Sequence, residues 1–195
     1  MNIGVLALQG DFAEHKKILQ KIGVKPVEVR LPEHLENLQG LIIPGGESTT
    51  IGKLAEEFGL LEILREFGSE KPIWGTCAGA IFLSKDARRN QPLLSLMDIT
   101  VERNAFGRQI ASFETDLDVP ILTTVDSNPE PFHAIFIRAP LIESVYGDAK
   151  VLASLPDGRI VAAQQNHLLA TAFHPELTGD DRFHRYFINL ISEKD

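Results

Sequence analysis

Apolar residues along the first half of the chain fall into short unbroken runs separated by amphipathic stretches. The run NIGVLALQ at 2–9 is aliphatic and β-branched and stops at Gly10 and Asp11, which predicts a strand buried on both faces. DFAEHKKILQKIG at 11–23 follows, with Phe12, Ile18, Leu19 and Ile22 near helical spacing; Asp11 is placed to cap this helix and Gly23 to end it. VKPVEVRL at 24–31 and QGLIIPGG at 39–46 predict a second and a third strand. A helical stretch over 49–67 is broken near Gly59, KPIWGT at 71–76 reads as strand four, and CAGAIFLSKDA at 77–87 as the helix after it. Strands that alternate with helices of about a dozen residues predict right-handed βαβ units and a parallel sheet.

After about residue 90 the pattern changes. MDITVERN, RQIASFETDLD, PFHAIFIRAP and the stretch 149–176 are strand-like with turn punctuation, and Pro156-Asp157-Gly158 has hairpin-turn chemistry. The final GDDRFHRYFINLISEKD is helical, with an apolar stripe of Phe183, Phe187, Ile188 and Ile191. The expected fold class is therefore α/β: a mostly parallel, flavodoxin-like sheet flanked by helices, with an antiparallel extension. There is no internal repeat, low-complexity tract or linker, and 195 residues suit a single domain over 1–195.

Composition narrows the function. The net charge of −8 lacks the basic footprint of nucleic-acid binding and disfavours an anionic membrane surface as partner. No apolar run approaches the ~18 residues of a membrane span, and MNIGVLALQGDF lacks the basic start of a signal peptide. One cysteine forms no internal disulfide, so a cytoplasmic protein is expected.

That cysteine sits in Gly75-Thr76-Cys77-Ala78-Gly79, between a predicted strand and a predicted helix. Ligands of open α/β sheets gather at strand carboxyl ends. G-x-C-x-G is the thiol form of the tight turn that displays a nucleophile there, and a helix N-terminus favours thiolate. A buried inert cysteine is the plainer alternative, which the glycine bracket argues against. Phe173-His174-Pro175-Glu176 follows a second apolar run; residues two apart in an extended segment point the same way, so His174 can act as base with Glu176 holding its ring. The other histidines (His15, His34, His133, His167 and His184) have no such carboxylate neighbour in sequence and are read as surface or satisfied packing, with no metal-ligand spacing. Pro44-Gly45-Gly46-Glu47-Ser48-Thr49-Thr50 can aim backbone N–H groups at an oxyanion; Gly46 and Ala78 N–H groups would complete a thiol acyl-transfer site, with Ser48 or Thr49 also capping the next helix.

PGGEST, WGTCAG and FHPEL in this order resemble the class I, triad-type glutamine amidotransferases. LALQGDFAEH, GLIIPGGESTT, VERNAFGRQ, FIRAP and TAFHPELT are similar, within that family, to the glutaminase subunits of pyridoxal 5′-phosphate synthases. The resemblance implies hydrolysis of L-glutamine to L-glutamate and ammonia, with Cys77 as nucleophile forming a thioester, His174 as acid and base, and Glu176 orienting it. It implies glutamine contacts from Gly46, Glu47, Ser48, Arg103, Ile137 and Arg138, while Arg103, Arg108 and Arg138 remain open as the carboxylate-binding arginine. No cofactor and no metal are implied. The partner implied is a synthase subunit, a (β/α)8 barrel that receives the ammonia for vitamin B6 synthesis. Gln9 and Gly10, at the end of the first predicted strand, are expected beside Gly45-Gly46, and docking there is expected to reorient the Gly45-Gly46 peptide and complete the oxyanion hole. Alternatives are the glutaminase subunit of another pathway, such as the histidine pathway, a DJ-1-like module, and a binding protein with an inactive triad.

Overall fold

The computed structural model describes residues 1–103, 112–127 and 130–193. Twelve strands are formed: β1 (Asn2–Leu6), β2 (Lys25–Val29), β3 (Gly40–Ile43), β4 (Ile73–Thr76), β5 (Ser84–Asp86), β6 (Met97–Glu102), β7 (Ser112–Leu117), β8 (Phe132–Ile137), β9 (Leu141–Val145), β10 (Lys150–Ser154), β11 (Ile160–Gln165) and β12 (Leu168–Thr171). The helices are α1 (Phe12–Lys21), α2 (Ser48–Glu57), α3 (Leu61–Glu70), α4 (Ala78–Leu83) and α5 (Arg182–Ser192).

Ten strands share one sheet in the order β2-β1-β3-β4-β12-β11-β9-β6-β5, with β10 paired to β11. From β2 to β12 every pairing is parallel; β12 to β11, β11 to β9 and β9 to β6 are antiparallel. The expected parallel sheet with an antiparallel extension is therefore present. β7 and β8 leave that extension and form a separate antiparallel ribbon.

Alternation along the central strands splits the core between the two faces of the sheet. Leu41, Ile43, Ile73, Leu168 and Ala170 join one apolar cluster, whereas Ile42, Trp74 and Leu169 join the other. Helices α2, α3 and α4 cover the first face through Ile51, Ala55, Leu64 and Phe82. Helices α1 and α5 cover the second through Leu19, Phe183, Phe187 and Ile191. Burying one such ring contributes about 1.5–3 kcal/mol.

Several local expectations need correction. Asp11 precedes α1 but makes no side-chain cap hydrogen bond, and its carboxylate approaches His174 instead. The helix expected over 77–87 is only six residues, because Ser84–Asp86 joins β6 as an added strand. Ser48 lies inside α2, and Glu47 precedes the helix without a side-chain cap, so neither Ser48 nor Thr49 caps it. On α1 the buried residues are His15 and Leu19, and Ile18 is half-buried. The break near Gly59 is real: Gly59 takes φ +67°, and the N–H groups of Phe58, Gly59 and Leu60 donate to carbonyls of the preceding turn. The Pro156-Asp157-Gly158 turn closes the β10–β11 hairpin, with Leu155 N–H donating to Arg159 O at 2.8 Å.

Candidate active site

β4 and β12 are adjacent and in parallel register, Thr76 opposite Thr171, so both release their next residues at the same edge of the sheet. Cys77 leaves β4 there, and its N–H donates to the Thr171 carbonyl at 2.8 Å. Its backbone has φ 48° and ψ −106°, a conformation that costs a non-glycine residue roughly 1–3 kcal/mol and is found where function requires it. Small neighbours permit the turn. A Cβ at Gly75 would strike the Gly79 carbonyl, and one at Gly79 would strike the Ile43 carbonyl of β3. Cys77 is 7% exposed, so the thiol is buried at the bottom of the site rather than free on the surface.

His174 follows β12 and is tied to β8 by its N–H, which donates to Ile135 O at 2.8 Å. Its Nδ1 lies 2.6 Å from Glu176 Oε1, with Glu176 in a short 3-10 turn, Pro175–Leu177. Burial works against charge on His174, but hydrogen bonds to Cys77 and Glu176 outweigh it and push its pKa up to about 10. At neutral pH the imidazole therefore holds a proton. Glu176 is pushed up by burial, an effect that the bond from His174 partly offsets. Cys77, His174 and Glu176, picked from separate places in the sequence, are brought together as a chain of side chains.

The glycine loop after β3 completes one wall. A Cβ at Gly45 would meet His174 Cε1 at 2.6 Å, so the bare backbone packs directly on the ring. Gly46 takes φ +151°. Gln9 and Gly10 do lie against this loop: Gln9 Oε1 accepts from Glu47 N–H at 2.7 Å, and a Cβ on Gly10 would collide with the Gly45 carbonyl. Glu47 also accepts from Arg103 at 2.8 Å, while Ser48 is buried and contacts Gln91. Ile137 ends β8 and Arg138 follows it, two and three residues beyond the carbonyl that holds His174; Ile137 is exposed and Arg138 takes φ 44°. Ala78 begins α4 next to the thiol. Arg108, with the end of VERNAFGRQ, lies outside the described residues.

Three further residues enter the site that reading along the chain did not select. Asp11 Oδ2 is 3.7 Å from His174 Nδ1, His15 Nε2 is 3.4 Å from Glu176 Oε2, and Thr76 Oγ1 is 3.3 Å from His15 Nε2. Asp11 and His15 are one helical turn apart, and a histidine at a core position of α1, one turn before Leu19, was the available signal. Asp11, His174 and Glu176 offer ligand-type atoms within 4.8 Å of one another, but the His174–Glu176 pairing already uses two of the three groups.

His133, away from this site, pairs on the ribbon with Asp116 and Glu114. No helix among the described residues is long and apolar enough to cross a membrane.

Known proteins share this architecture. A pyridoxal 5′-phosphate synthase subunit PdxT of Herpetosiphon aurantiacus is 59% identical over 195 residues, covering 97% of this chain and all of that protein. The protein of the same name from Roseiflexus sp. (strain RS-1) is 55% identical, with 97% and 100% covered. A crystal structure of a glutamine amidotransferase superposes with a TM-score of 0.89 at 49% identity, covering 97% of this chain and 98% of the other. The SNO glutamine amidotransferase family matches residues 5–193, so the chain belongs to that family.

Proposed function

We propose that the chain, acting as one unit over residues 1–195, is the glutaminase subunit of a pyridoxal 5′-phosphate synthase, and that Cys77, His174 and Glu176 hydrolyse L-glutamine. The observation that carries the reading is the thiol on a strained turn facing a carboxylate-held imidazole, at the ends of two neighbouring strands. Cys77 Sγ attacks the side-chain amide carbon. Developing negative charge on the amide oxygen is met by the N–H groups of Gly46 and Ala78. The protonated His174 gives its proton to the departing nitrogen, so ammonia leaves and a glutamyl thioester remains. His174, now neutral, takes a proton from water; hydroxide attacks the thioester, glutamate departs, and the Cys77 sulfur is released beside the reprotonated His174, as at the start.

Glutamine lies along Gly46, Glu47, Ser48, Arg103, Ile137 and Arg138. A planar guanidinium suits the α-carboxylate of the substrate. The ammonia passes to a synthase subunit, a (β/α)8 barrel, through protein rather than bulk water, where it would be protonated and lose its nucleophilicity. The chemistry asks for neither metal nor cofactor, and a cytoplasmic setting fits a chain with one buried thiol. Purified chain alone should release little glutamate from L-glutamine, and addition of the synthase subunit should raise the rate by roughly tenfold or more. No release in either case would overturn the reading.

Docking acts on the loop that Gln9 holds. The Glu47 N–H bond to Gln9 couples the end of β1 to the Gly45-Gly46 peptide, and the partner reorients that peptide to aim the Gly46 N–H at the oxyanion. Gln9→Ala should lower glutaminase turnover of the complex by about tenfold, because a positioning hydrogen bond is lost, while changing affinity for the partner by less than about threefold. Full turnover in the variant complex, read against its measured dissociation constant, would remove Gln9 from the activation step.

A further inference from the structure

Glu176 is only half accounted for by the triad. Its Oε1 accepts from His174, but Oε2 is buried without a hydrogen-bond partner among the described residues, and His15 Nε2 stands 3.4 Å away. His15 is wholly buried on α1, and its other nitrogen, Nδ1, lies 3.0 Å from Nε2 of His184, a wholly buried residue of α5. Trp74 walls both rings edge-on, at 5.6 Å from His15 and 4.9 Å from His184, and Phe183 and Phe187 pack behind it. Two imidazoles at the centre of an aromatic cluster are costly to bury, so each polar atom matters.

The hydrogen bonds select one tautomer for each ring. If His15 carried its hydrogen on Nδ1, it would donate to His184, whose own Nδ1 would then hold a buried N–H with nothing to accept it. The bare Nε2 of His15 would face the bare Oε2 of Glu176. The opposite choice removes both faults. His184 Nε2–H donates to His15 Nδ1, His184 Nδ1 is left as a lone pair, and His15 Nε2–H points at Thr76 Oγ1 and Glu176 Oε2. An unsatisfied acceptor is tolerated better than an unsatisfied N–H.

We propose that His15, locked in this tautomer by His184, is a positioning residue for the triad, its Nε2–H holding the free oxygen of Glu176 and so the carboxylate that orients His174. The inference rests on the triad reading of the proposed function. Closing the gap to a full hydrogen bond takes a shift of a few tenths of an ångström, of the kind that accompanies substrate binding.

Electrostatics agrees with a neutral donor here. Burial holds the pKa of His15 well below its ordinary value, with His184 and His174 adding to the effect, and burial takes His184 down to about 3. Around Glu176 stand His174 just before its turn, Asp11 and His15 from α1 and its approach, with Thr76 behind His15 and Cys77 behind His174; burial pushes its pKa up and Asp11 adds to that. A neutral N–H on Oε2 favours the ionised carboxylate without adding a charge to compete with His174.

The test is glutamate release by the complex with the synthase subunit across pH 5–10, for wild type, His15→Gln, His15→Leu, His184→Phe and Cys77→Ser. Glutamine places an amide N–H near the position of Nε2; leucine does not. His15→Leu should lower kcat about 10- to 100-fold with KM nearly unchanged, the loss usual for a group that orients a reacting one. The acid limb of kcat/KM should move to higher pH, because Glu176 then protonates more easily. His15→Gln should recover most of kcat and return the limb, and His184→Phe should shift the limb the same way by a smaller amount. An unmoved acid limb in His15→Leu, or equal rates for the glutamine and leucine variants, overturns the positioning role. Should His15→Leu fail to fold, His184→Phe decides by the same acid-limb criterion. Turnover that survives Cys77→Ser overturns the triad reading, and the role of His15 falls with it; an unmoved acid limb with an inactive Cys77→Ser overturns the role of His15 alone.

Discussion

Cys77→Ser is expected to abolish glutamine hydrolysis, by about 10⁴-fold or more, while the folded chain and its docking persist. The expectation comes from both chemistry and geometry. A serine hydroxyl gives up its proton far less readily than a thiol, so the pair with His174 no longer supplies an anionic nucleophile. A hydroxyl is smaller than a thiol by less than a methylene group, and the residue's backbone strain is set by β4, α4 and the Thr171 carbonyl rather than by the side chain. Thermal midpoint and affinity for the synthase subunit should therefore stay close to wild type. Measured glutamate release at the wild-type rate would move the chemistry away from Cys77 altogether.

Gly79→Ala should be among the most damaging single methyl groups in the site. The added Cβ would be driven into the backbone carbonyl of Ile43, which belongs to a central strand bonded on both sides and cannot swing away. Relief requires α4 to lift from β3, and α4 is the helix that starts on the nucleophile. A loss of about 2–4 kcal/mol follows from overpacking of this kind. Turnover should fall with it, since any shift of α4 carries Cys77 and the Ala78 N–H with it. Chemical denaturation read beside single-turnover kinetics checks both parts. An unchanged unfolding midpoint would mean that the turn at Cys77 is looser than its contacts imply.

The parallel half of the fold was legible because fully buried strands leave unbroken apolar runs, such as GLII and IWGT, and because the helices between them are long enough to show a period. The meeting of Cys77, His174 and Glu176 was legible for a related reason: Cys77 and His174 each directly follow such a run, and glycine and proline mark where the chain must turn. What escaped was information carried by distant partners. α4 ends early because Ser84–Asp86 finds β6, a pairing with no local signal. β7 and β8 alternate like any sheet strands, and their departure into a ribbon depends on which edge is free. His15 looks like one polar residue among Glu14, Lys16 and Lys17; its importance comes from Glu176 and His184, about 160 positions away, which meet it only after α1 and α5 pack on the same face. Asp11 has the local signature of a cap, whereas its neighbour in the fold is His174.

The order of strands also has a meaning for how the protein is made. β12, the last strand among the described residues, is inserted in the middle of the sheet, between β4 and β11, and it delivers His174 to a Cys77 synthesised about a hundred residues earlier. A ribosome that has released everything up to residue 167 has produced the thiol, the glycine loop and most of the core, but no working centre. Pairings this distant form late and slowly. Nascent chains that stop short of β12 and His174 are thus expected to be inert toward glutamine, a point that glutamate release by chains truncated before Leu168 checks.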